Sequence, residues 1–134
     1  MYAVIDTNVL IYDTVENSEK HEVAEKLLNS LNKWLIPTIT LYEYIWFFKM
    51  QKLDAYKVKD LIEGYLLDPR CKILADNGTH LKNAFETVTS QKLSLMRIND
   101  MVILSHAEYS KAPLATFDGK LKRKAREHKV KTVP

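Results

Sequence analysis

The residues that decide the fold lie at the N-terminus, in the stretch "YAVIDTNVLIYD" (residues 2–13). Its opening residues, Tyr2–Ile5, are apolar and β-prone, which predicts a short buried strand. A second apolar segment begins at Val9, and Asp6 stands between the two. Asp6 therefore has two interpretations: it caps a helix that starts at Asn8 or Val9, or it belongs to a site at the carboxyl edge of a parallel sheet.

Beyond this stretch, strand-like and helix-like segments alternate along the chain. Apolar, β-prone runs predict four more strands, at residues 33–37, 71–74, 112–117 and 129–133. Helical spacing of apolar residues predicts helices over residues 21–32, from a Thr38 or Thr40 cap to about Met50, from an Asp54 cap to Leu66, around 81–88, over 99–109 with an Asn99 cap, and over 118–128. This alternation predicts the α/β class, as a three-layer α/β/α fold with a central parallel sheet of about five strands.

Length and composition indicate one domain in a cytoplasmic protein. The 134 residues suffice for one hydrophobic core, so we expect a single domain over residues 1–134. Cys71 is the only cysteine, and no internal disulfide is expected. The N-terminus lacks the basic and apolar regions of a signal peptide. The longest apolar-rich run, residues 35–48, is shorter than the roughly 20 residues that span a bilayer and contains Pro37 and Glu43.

Positive charge is concentrated at the C-terminal end of the chain. Residues 119–134 hold seven basic residues and one acid, whereas the 118 residues before them hold thirteen basic and sixteen acidic residues. A cationic segment of this kind attracts the phosphate backbone of a nucleic acid, whatever its sequence. The alternative is a solvated helix face that is rich in lysine.

Two aspartates directly follow predicted strands. Asp6 ends the first strand, and Asp118 follows the strand "LATF" (residues 114–117). In an open parallel sheet the ligand crevice lies at the carboxyl ends of the strands, where the strand order reverses. The two carboxylates would share one edge of the sheet if these strands are neighbours. Each also fits a structural role, because Asp6 would cap a helix and Asp118-Gly119 is a common turn pair.

Two further acids lie in apolar helices. Glu43 lies in "TITLYEYIWFF" (residues 38–48), where few positions face solvent, and burial of an unpaired carboxylate is costly. Lys49 is six residues away and out of helical register, so a long-range partner or a metal is implied, and a structural salt bridge is the alternative. Asp100 leads into "MVILSHA" (residues 101–107); its alternative is an acid in the first turn of a helix, where the dipole favours it.

Neutral polar residues flank these acids. Hydroxyl and amide groups beside strand-end carboxylates orient them or hold a water at a metal, although the same residues are ordinary in turns and caps. The residues concerned are Thr7, Asn8 and Thr116. Asp13 is not grouped with the other acids and is expected to be a surface acid.

The four acids in their contexts resemble the PIN-domain nucleases, and the length and order of the elements most resemble the VapC toxins of prokaryotic toxin–antitoxin pairs. The motifs that carry the resemblance are "VIDTNVLI" (residues 4–11), the single Glu of the apolar helix, "NDMVILSHA" (99–107) and "LATFD" (114–118). One difference is Asn99, which stands where the family often has a small or apolar residue. The resemblance implies a catalytic and metal-binding tetrad of Asp6, Glu43, Asp100 and Asp118, supported by Thr7, Asn8 and Thr116.

The resemblance further implies a metal-dependent endoribonuclease that is usually a homodimer and is neutralised by a cognate antitoxin. Four acids without a histidine cluster favour Mg²⁺ or Mn²⁺ over zinc. We expect Asp6, Asp100 and Asp118 to bind one ion directly or through water, with Glu43 completing that site or helping to bind a second ion. The basic residues expected to contact RNA are Lys120, Lys122, Arg123 and Arg126. The histidines are scattered and are expected at the surface or in packing: His21, His80, His106 and His128.

Two other functions are compatible with the sequence. A non-catalytic PIN-like module would bind RNA or a protein partner, and it would be expected to lack one or more of the four acids. Aspartyl-phosphate phosphatases that resemble the haloacid dehalogenase family also carry an Asp after the first strand. Their second Asp stands two residues later, where this chain has Asn8.

Self-association is a further expectation. The segments "YIWFF" (residues 44–48) and "AYKVKDLIEGYLL" (55–67) contain more aromatic and aliphatic surface than a small domain readily covers. The alternative is burial of both segments in the core.

Overall fold

The structure is a computed structural model that describes residues 1–134. Five strands form one sheet: β1 is Tyr2–Ile5, β2 Lys33–Pro37, β3 Cys71–Leu74, β4 Leu114–Ala115 and β5 Thr132–Val133. The helices are α1 Thr7–Thr14, α2 His21–Ser30, α3 Thr38–Met50, α4 Ala55–Leu66, α5 Gly78–Ser90, α6 Ile98–Ser110 and α7 Gly119–Glu127, and a 3₁₀ turn, Leu95–Arg97, leads into α6. None of these helices has the length and apolarity that a membrane crossing requires.

All strand pairs are parallel, and the strand order is β3-β2-β1-β4-β5. Strand β1 is central, with Val4 opposite Leu35 of β2 and Ile5 opposite Ala115 of β4. The first half of the chain extends the sheet from β1 towards β3, and the second half extends it from β4 towards β5. The order therefore reverses between β1 and β4, which places a crevice at the carboxyl ends of these two strands.

Helices cover both faces of the sheet. Ala3 and Ile5 point into an apolar core shared with α1 to α4, whereas Val4 points into a second core shared with α5 to α7. All three side chains are completely buried. Strands that are covered on both faces need no polar side, which explains why they read as short continuous apolar runs. The predicted three-layer α/β/α fold is confirmed.

The starts of α1 and α3 differ slightly from the sequence prediction. Helix α1 begins at Thr7, because the carboxylate of Asp6 accepts the amide of that residue and so does cap the helix. Helix α3 begins at Thr38 with Pro37 as its N-cap, so neither predicted threonine cap is correct. The hydroxyl of Thr40 is buried and donates to the carbonyl oxygen of Ile5 at 3.0 Å, which joins α3 to β1.

The start of α6 also differs from the prediction. The preceding 3₁₀ turn runs directly into a helix that begins at Ile98, so Asn99 lies inside the first turn and is not a cap. The first turn of α6 therefore presents Asn99 and Asp100 together at the carboxyl edge of the sheet, where both line the same cleft.

Asp13 is half-buried, which corrects the expectation of a free surface acid. Its Oδ2 accepts a hydrogen bond of 2.6 Å from the hydroxyl of Tyr65. Burial is the main cause that raises the pKa of Tyr65 far above its ordinary value, and the Asp13 carboxylate raises it further, so the phenol remains a donor. This contact ties α1 to α4.

Four helix ends carry a lysine in the left-handed region of backbone space. The residues are Lys52, Lys92, Lys111 and Lys129, with φ between 52° and 63°. In each case the next residue is apolar and its amide bonds a carbonyl five residues earlier; for example, Leu93 N donates to Val88 O at 2.9 Å. This is the Schellman motif, in which glycine usually occupies the left-handed position. Here no glycine has a positive φ.

We predict that Lys92→Gly raises the free energy of unfolding by about 0.5 to 1 kcal/mol. Glycine adopts positive φ without the contact between Cβ and the carbonyl oxygen that opposes it in other residues. Lys92→Ala is the matched control, because it removes the same charge but keeps the strained Cβ. Urea unfolding of the three proteins measures the difference. Equal stabilities of the Gly and Ala variants would contradict the assignment of strain to this position.

Candidate functional site

One cleft at the carboxyl edge of the sheet is lined by all four acids that the sequence singled out. Its volume is about 660 Å³, and it lies where the strand order reverses between β1 and β4. The acids arrive from four different elements: the end of β1, α3, the first turn of α6, and the residue that precedes α7. They are Asp6, Glu43, Asp100 and Asp118. The structure brings them together, and their role as metal ligands stays a prediction.

Asp6 is the most deeply buried acid of the cleft, with 5 % of its surface exposed. Its Oδ1 accepts the amide of Thr7 at 2.8 Å, and its Oδ2 accepts the hydroxyl of Thr116 at 2.7 Å. Burial raises the pKa of Asp6 to about 7; the Thr116 hydrogen bond opposes this shift, and the charges of Asp100 and Glu43 add to it. The carboxylate is thus held in one orientation, in surroundings that favour a cation beside it.

Asp118 lies in the cleft and also caps α7, where the sequence analysis had suggested a turn with Gly119. Its Oδ1 caps α7 by accepting the amides of Lys120 at 2.9 Å and Leu121 at 3.4 Å. Its Oδ2 accepts no hydrogen bond from the protein, and Asp118 is one of the residues that line the cleft. The amide of Asp118 donates to Thr116 Oγ1 at 3.0 Å, so Asp6 and Asp118 are linked through one threonine hydroxyl.

Asn8 also supports this side of the cleft. Its amide oxygen accepts the backbone N–H of Phe117 at 3.2 Å, and its amide nitrogen lies 3.4 Å from Thr116 Oγ1. These contacts join the first turn of α1 to the loop after β4. Thr116 and Asn8 therefore lie beside the strand-end acids, and the Thr7 hydroxyl contacts Glu43; their supporting role at a metal stays a prediction.

Glu43 has two neutral partners and no salt bridge. Thr7 Oγ1 donates to its Oε1 at 2.5 Å, and Asn99 Nδ2 donates to its Oε2 at 3.1 Å. These donors come from α1 and α6, so the long-range partner is a pair of polar side chains. Lys49, in contrast, places its ammonium 4.0 Å from the centre of the Trp46 ring. The sequence did not identify Asn99 as a partner; its position beside Asp100 was the only available signal.

Asp100 is paired with a cation that the sequence analysis also missed. Arg97 Nε donates to Asp100 Oδ2 at 3.2 Å, one helical turn earlier in the chain. Burial raises the pKa of Asp100, Arg97 opposes the shift, and the charges of Asp118 and Glu43 reinforce it. The i, i+3 spacing of Arg97 and Asp100 was a signal for this pair. Arg97 Nη2 is buried and has no hydrogen-bond partner.

The donor atoms in this cleft suit a hard cation that keeps part of its water shell. No group of three or more Asp, Glu, His or Cys side chains stands close enough together to hold a metal ion by direct contacts alone. Mg²⁺ typically uses one or two carboxylates and retains several waters, whereas structural zinc requires four tetrahedral ligands. None of the four histidines lines the cleft. The residues present therefore fit a hydrated Mg²⁺ or Mn²⁺ better than zinc.

The predicted basic contacts lie on α7, which starts directly after Asp118. Lys120, Arg123 and Arg126 are exposed and Lys122 is half-buried. Leu121 and Ala125 bury the opposite side of this helix in the core. The helix therefore presents positive charge beside the acidic cleft, and contact with nucleic acid stays a prediction.

Comparisons with known proteins agree with this architecture. A chain of VapBC-1 from nontypeable Haemophilus influenzae superposes with a TM-score of 0.69 at 25 % identity, covering 99 % of this chain and 97 % of that one. VapC20 from Mycobacterium tuberculosis, described as a sarcin–ricin loop cleaving toxin, gives a TM-score of 0.78 at 12 % identity, covering 92 % and 95 %. A chain of VapBC2 from Rickettsia felis, bound to a promoter DNA fragment, gives 0.70 at 21 % identity, covering 99 % and 98 %.

Of the two sequence comparisons, the one with protein-family profiles identifies the family. A comparison with curated protein sequences finds no significant match. The sequence profile of the PIN domain matches residues 3–127, which is nearly the whole chain. With a parallel sheet, a switch-point cleft and four acids in that cleft, this chain belongs to the PIN domain family.

Proposed function

We propose that this protein is a metal-dependent endoribonuclease, dependent on Mg²⁺ or Mn²⁺, and the toxin of a toxin–antitoxin pair. The observation that carries the proposal is the gathering of Asp6, Glu43, Asp100 and Asp118 in one cleft, around a buried carboxylate that favours a cation. Membership of the PIN domain family and the likeness to VapC20 and VapBC chains support the same activity.

The cleft residues divide into those that would hold the ion and those that orient them. Asp6, Asp100 and Asp118 would bind one ion directly or through water, and Glu43 would complete that site or help to bind a second ion. When bound, the ion would supply charge neutralisation at the phosphoryl oxygens and an activated water. Hydrolysis forms a bond from the water oxygen to phosphorus and breaks the bond to the 3′ oxygen, which leaves a 5′ phosphate and a 3′ hydroxyl.

The supporting residues fix the positions of these carboxylates before any substrate binds. The Thr116 hydroxyl donates to Asp6 and accepts the amide of Asp118, which caps α7. Thr7 and Asn99 donate to the two carboxylate oxygens of Glu43. Arg97 fixes Asp100 from outside the cleft lining. The basic side chains on α7, Lys120, Lys122, Arg123 and Arg126, would receive the RNA backbone beside the acids.

We predict metal-dependent cleavage of a mixed RNA substrate that EDTA abolishes and Asp6→Asn lowers by more than about a hundredfold. Loss of a group that merely orients a metal ligand already costs about 10- to 100-fold, and Asp6 would be a ligand itself. Asp60→Asn, on the exposed side of α4, is the matched control and keeps the wild-type rate. Gel analysis of labelled RNA measures the rates.

Other outcomes of this experiment have definite meanings. Metal-dependent cleavage that survives Asp6→Asn would contradict the site assignment. Absence of cleavage with every metal and RNA tested would favour a non-catalytic RNA- or protein-binding module. An acid-stable phosphoenzyme on Asp6 would instead indicate an aspartyl-phosphate phosphatase.

The stability of the protein in the absence of metal gives an independent test of the raised pKa of Asp6. The pKa of Asp6 is raised from 3.8 to about 7. Protonation of Asp6 therefore contributes fully to the stability of the folded state below pH 3.8, and this contribution is lost as the pH rises through 7. In EDTA, we therefore compare the free energy of unfolding of Asp6→Asn with that of the wild type at each pH. The value of the variant minus that of the wild type should be about 1 to 3 kcal/mol larger at pH 8 than at pH 5. Mn²⁺ should stabilise the wild type at pH 8 and stabilise this variant less.

Urea unfolding at both pH values, with and without Mn²⁺, measures these differences. Asp60→Asn is again the control, and its stability should follow that of the wild type at each pH. A variant Asp6→Asn that is equally destabilised at pH 5 and pH 8 would show that Asp6 acts only as a helix cap.

A cognate antitoxin is the proposed protein partner. Solved structures with this fold include VapBC complexes and a toxin–antitoxin complex from Klebsiella pneumoniae. In this chain the exposed apolar side chains Tyr42, Trp46 and Met50 of α3 line the same cleft as the acids. A partner that covers this stripe would bury apolar surface and close access to the acids in one contact.

A homodimer is also proposed. Of the two apolar segments that predicted self-association, Tyr44, Phe48, Val58 and Tyr65 are buried in the core, whereas Ile45, Trp46, Tyr56 and Leu67 remain exposed. Light scattering after gel filtration should give twice the chain mass of 15.6 kDa. A mass of one chain at all concentrations would contradict the dimer.

A further inference from the structure

A second cavity, of about 360 Å³, adjoins the acidic cleft. Ile39 and Asn99 line both, so the two cavities are neighbours at the carboxyl edge of the sheet. Leu81, Ile98 and Val102 provide further apolar wall, and Asp76, just after β3, is the charged residue in the lining. Nothing in the proposed hydrolysis uses this cavity.

Asp76 is held by a buried polar network that the acidic cleft does not explain. Its Oδ1 lies 2.5 Å from Nε2 of His106, an imidazole that is 2 % exposed. The ring of His80 stacks on His106 with 3.8 Å between centroids, and His80 Nδ1 shares a hydrogen bond of 2.9 Å with Ser105 Oγ. Buried polar networks of this kind rigidify what they hold. Asp76 Oδ2 accepts no hydrogen bond from the protein, and the side chain is 36 % exposed.

We infer that this cavity is a nucleobase subsite in which Asp76 binds a guanine of the RNA substrate, next to the scissile phosphate. The inference rests on the proposed RNA cleavage and names a feature of its substrate. A volume of about 300 Å³ or slightly more is at the lower end of small-molecule sites, which suits a single base. Single-stranded RNA is commonly recognised through bases that are splayed out and bound by their Watson–Crick edges.

Guanine is the base whose edge best matches this carboxylate. An ionised Asp only accepts hydrogen bonds, and guanine offers two adjacent donors, the N1–H and the exocyclic N2 amino group. Uracil offers one donor, N3–H, between two carbonyl oxygens that would repel the carboxylate, and adenine and cytosine offer one amino group beside an acceptor nitrogen. The apolar walls formed by Ile39, Leu81 and Ile98 would lie against the faces of the base.

Asn99 couples the subsite to the acids. Its amide nitrogen donates to Glu43 Oε2 at 3.1 Å, and Asn99 is also one of the residues that line the second cavity. A base in this cavity would therefore lie against the residue that orients one of the four acids. Binding of the correct base and placement of its phosphate at the acids would occur together.

The test replaces guanine by inosine, which lacks only the exocyclic amino group. Cleavage sites are first mapped on a mixed RNA, and each guanine that flanks a cut is then replaced singly in a synthetic substrate. At one position the wild type should prefer guanine over inosine in kcat/KM by about fivefold to a hundredfold. In Asp76→Asn this ratio should fall to about one, whereas Asp60→Asn should keep the wild-type ratio.

Asp76→Asn preserves side-chain shape and still accepts a hydrogen bond from His106, so folding is expected to be retained. Leu81→Trp is a second variant, because Leu81 is half exposed at the cavity wall and a larger side chain there fills the cavity without entering the core. It should also lose the preference for guanine.

Three results would overturn the inference. The first is wild-type cleavage of RNA with no guanine preference at any flanking position. The second is an unchanged guanine-to-inosine ratio in Asp76→Asn, which would leave the endoribonuclease intact and assign Asp76 to another contact, such as a basic side chain of a protein partner. The third is absence of any RNA cleavage by the wild type, which would remove the proposed function itself.

Discussion

The burial of Asp6 at the carboxyl end of the central strand β1 is the constraint on which the rest of the cleft depends. A carboxylate that is 5 % exposed must be satisfied by donors or by a cation. The backbone of Thr7 and the hydroxyl of Thr116 satisfy its two oxygens, yet burial still raises its pKa to about 7. Two more acids add negative charge beside it. The arrangement stores an unfavourable interaction that a divalent cation would relieve.

Strand order explains why these acids meet although they lie far apart in the chain. Strands β1 and β4 are neighbours only because the order reverses between them, which brings Asp6 and Asp118 to the same edge. The helices that follow β2 and precede β4 complete the set, because Thr40 joins α3 to β1 and Asn99 joins α6 to Glu43. The site is thus a property of the topology, with each element contributing one acid.

The sequence alone predicted the parts of this site that follow from position along an element. Asp6 and Asp118 were identifiable because they end strands, and Glu43 because a charge in an apolar helix demands an explanation. The contact of Asn99 with Glu43 and the pair of Asp76 with His106 were not identified, since contacts between elements far apart in the chain leave no periodic signal. The pair of Arg97 with Asp100 was missed although its i, i+3 spacing was visible. The helix ends at lysine were equally hidden, because glycine is the usual mark of a left-handed stop.

Those lysines have a consequence for how the protein can change over time. Each of the four strained helix ends is built on its own backbone hydrogen bonds, and none of the lysines lines the acidic cleft. Effects at separated sites add, so each lysine is an independent place where a single substitution would strengthen the fold. The protein therefore has four positions away from the cleft at which a substitution by glycine would raise its stability. A chain that acquired such substitutions would tolerate destabilising changes around its carboxylates without losing its fold.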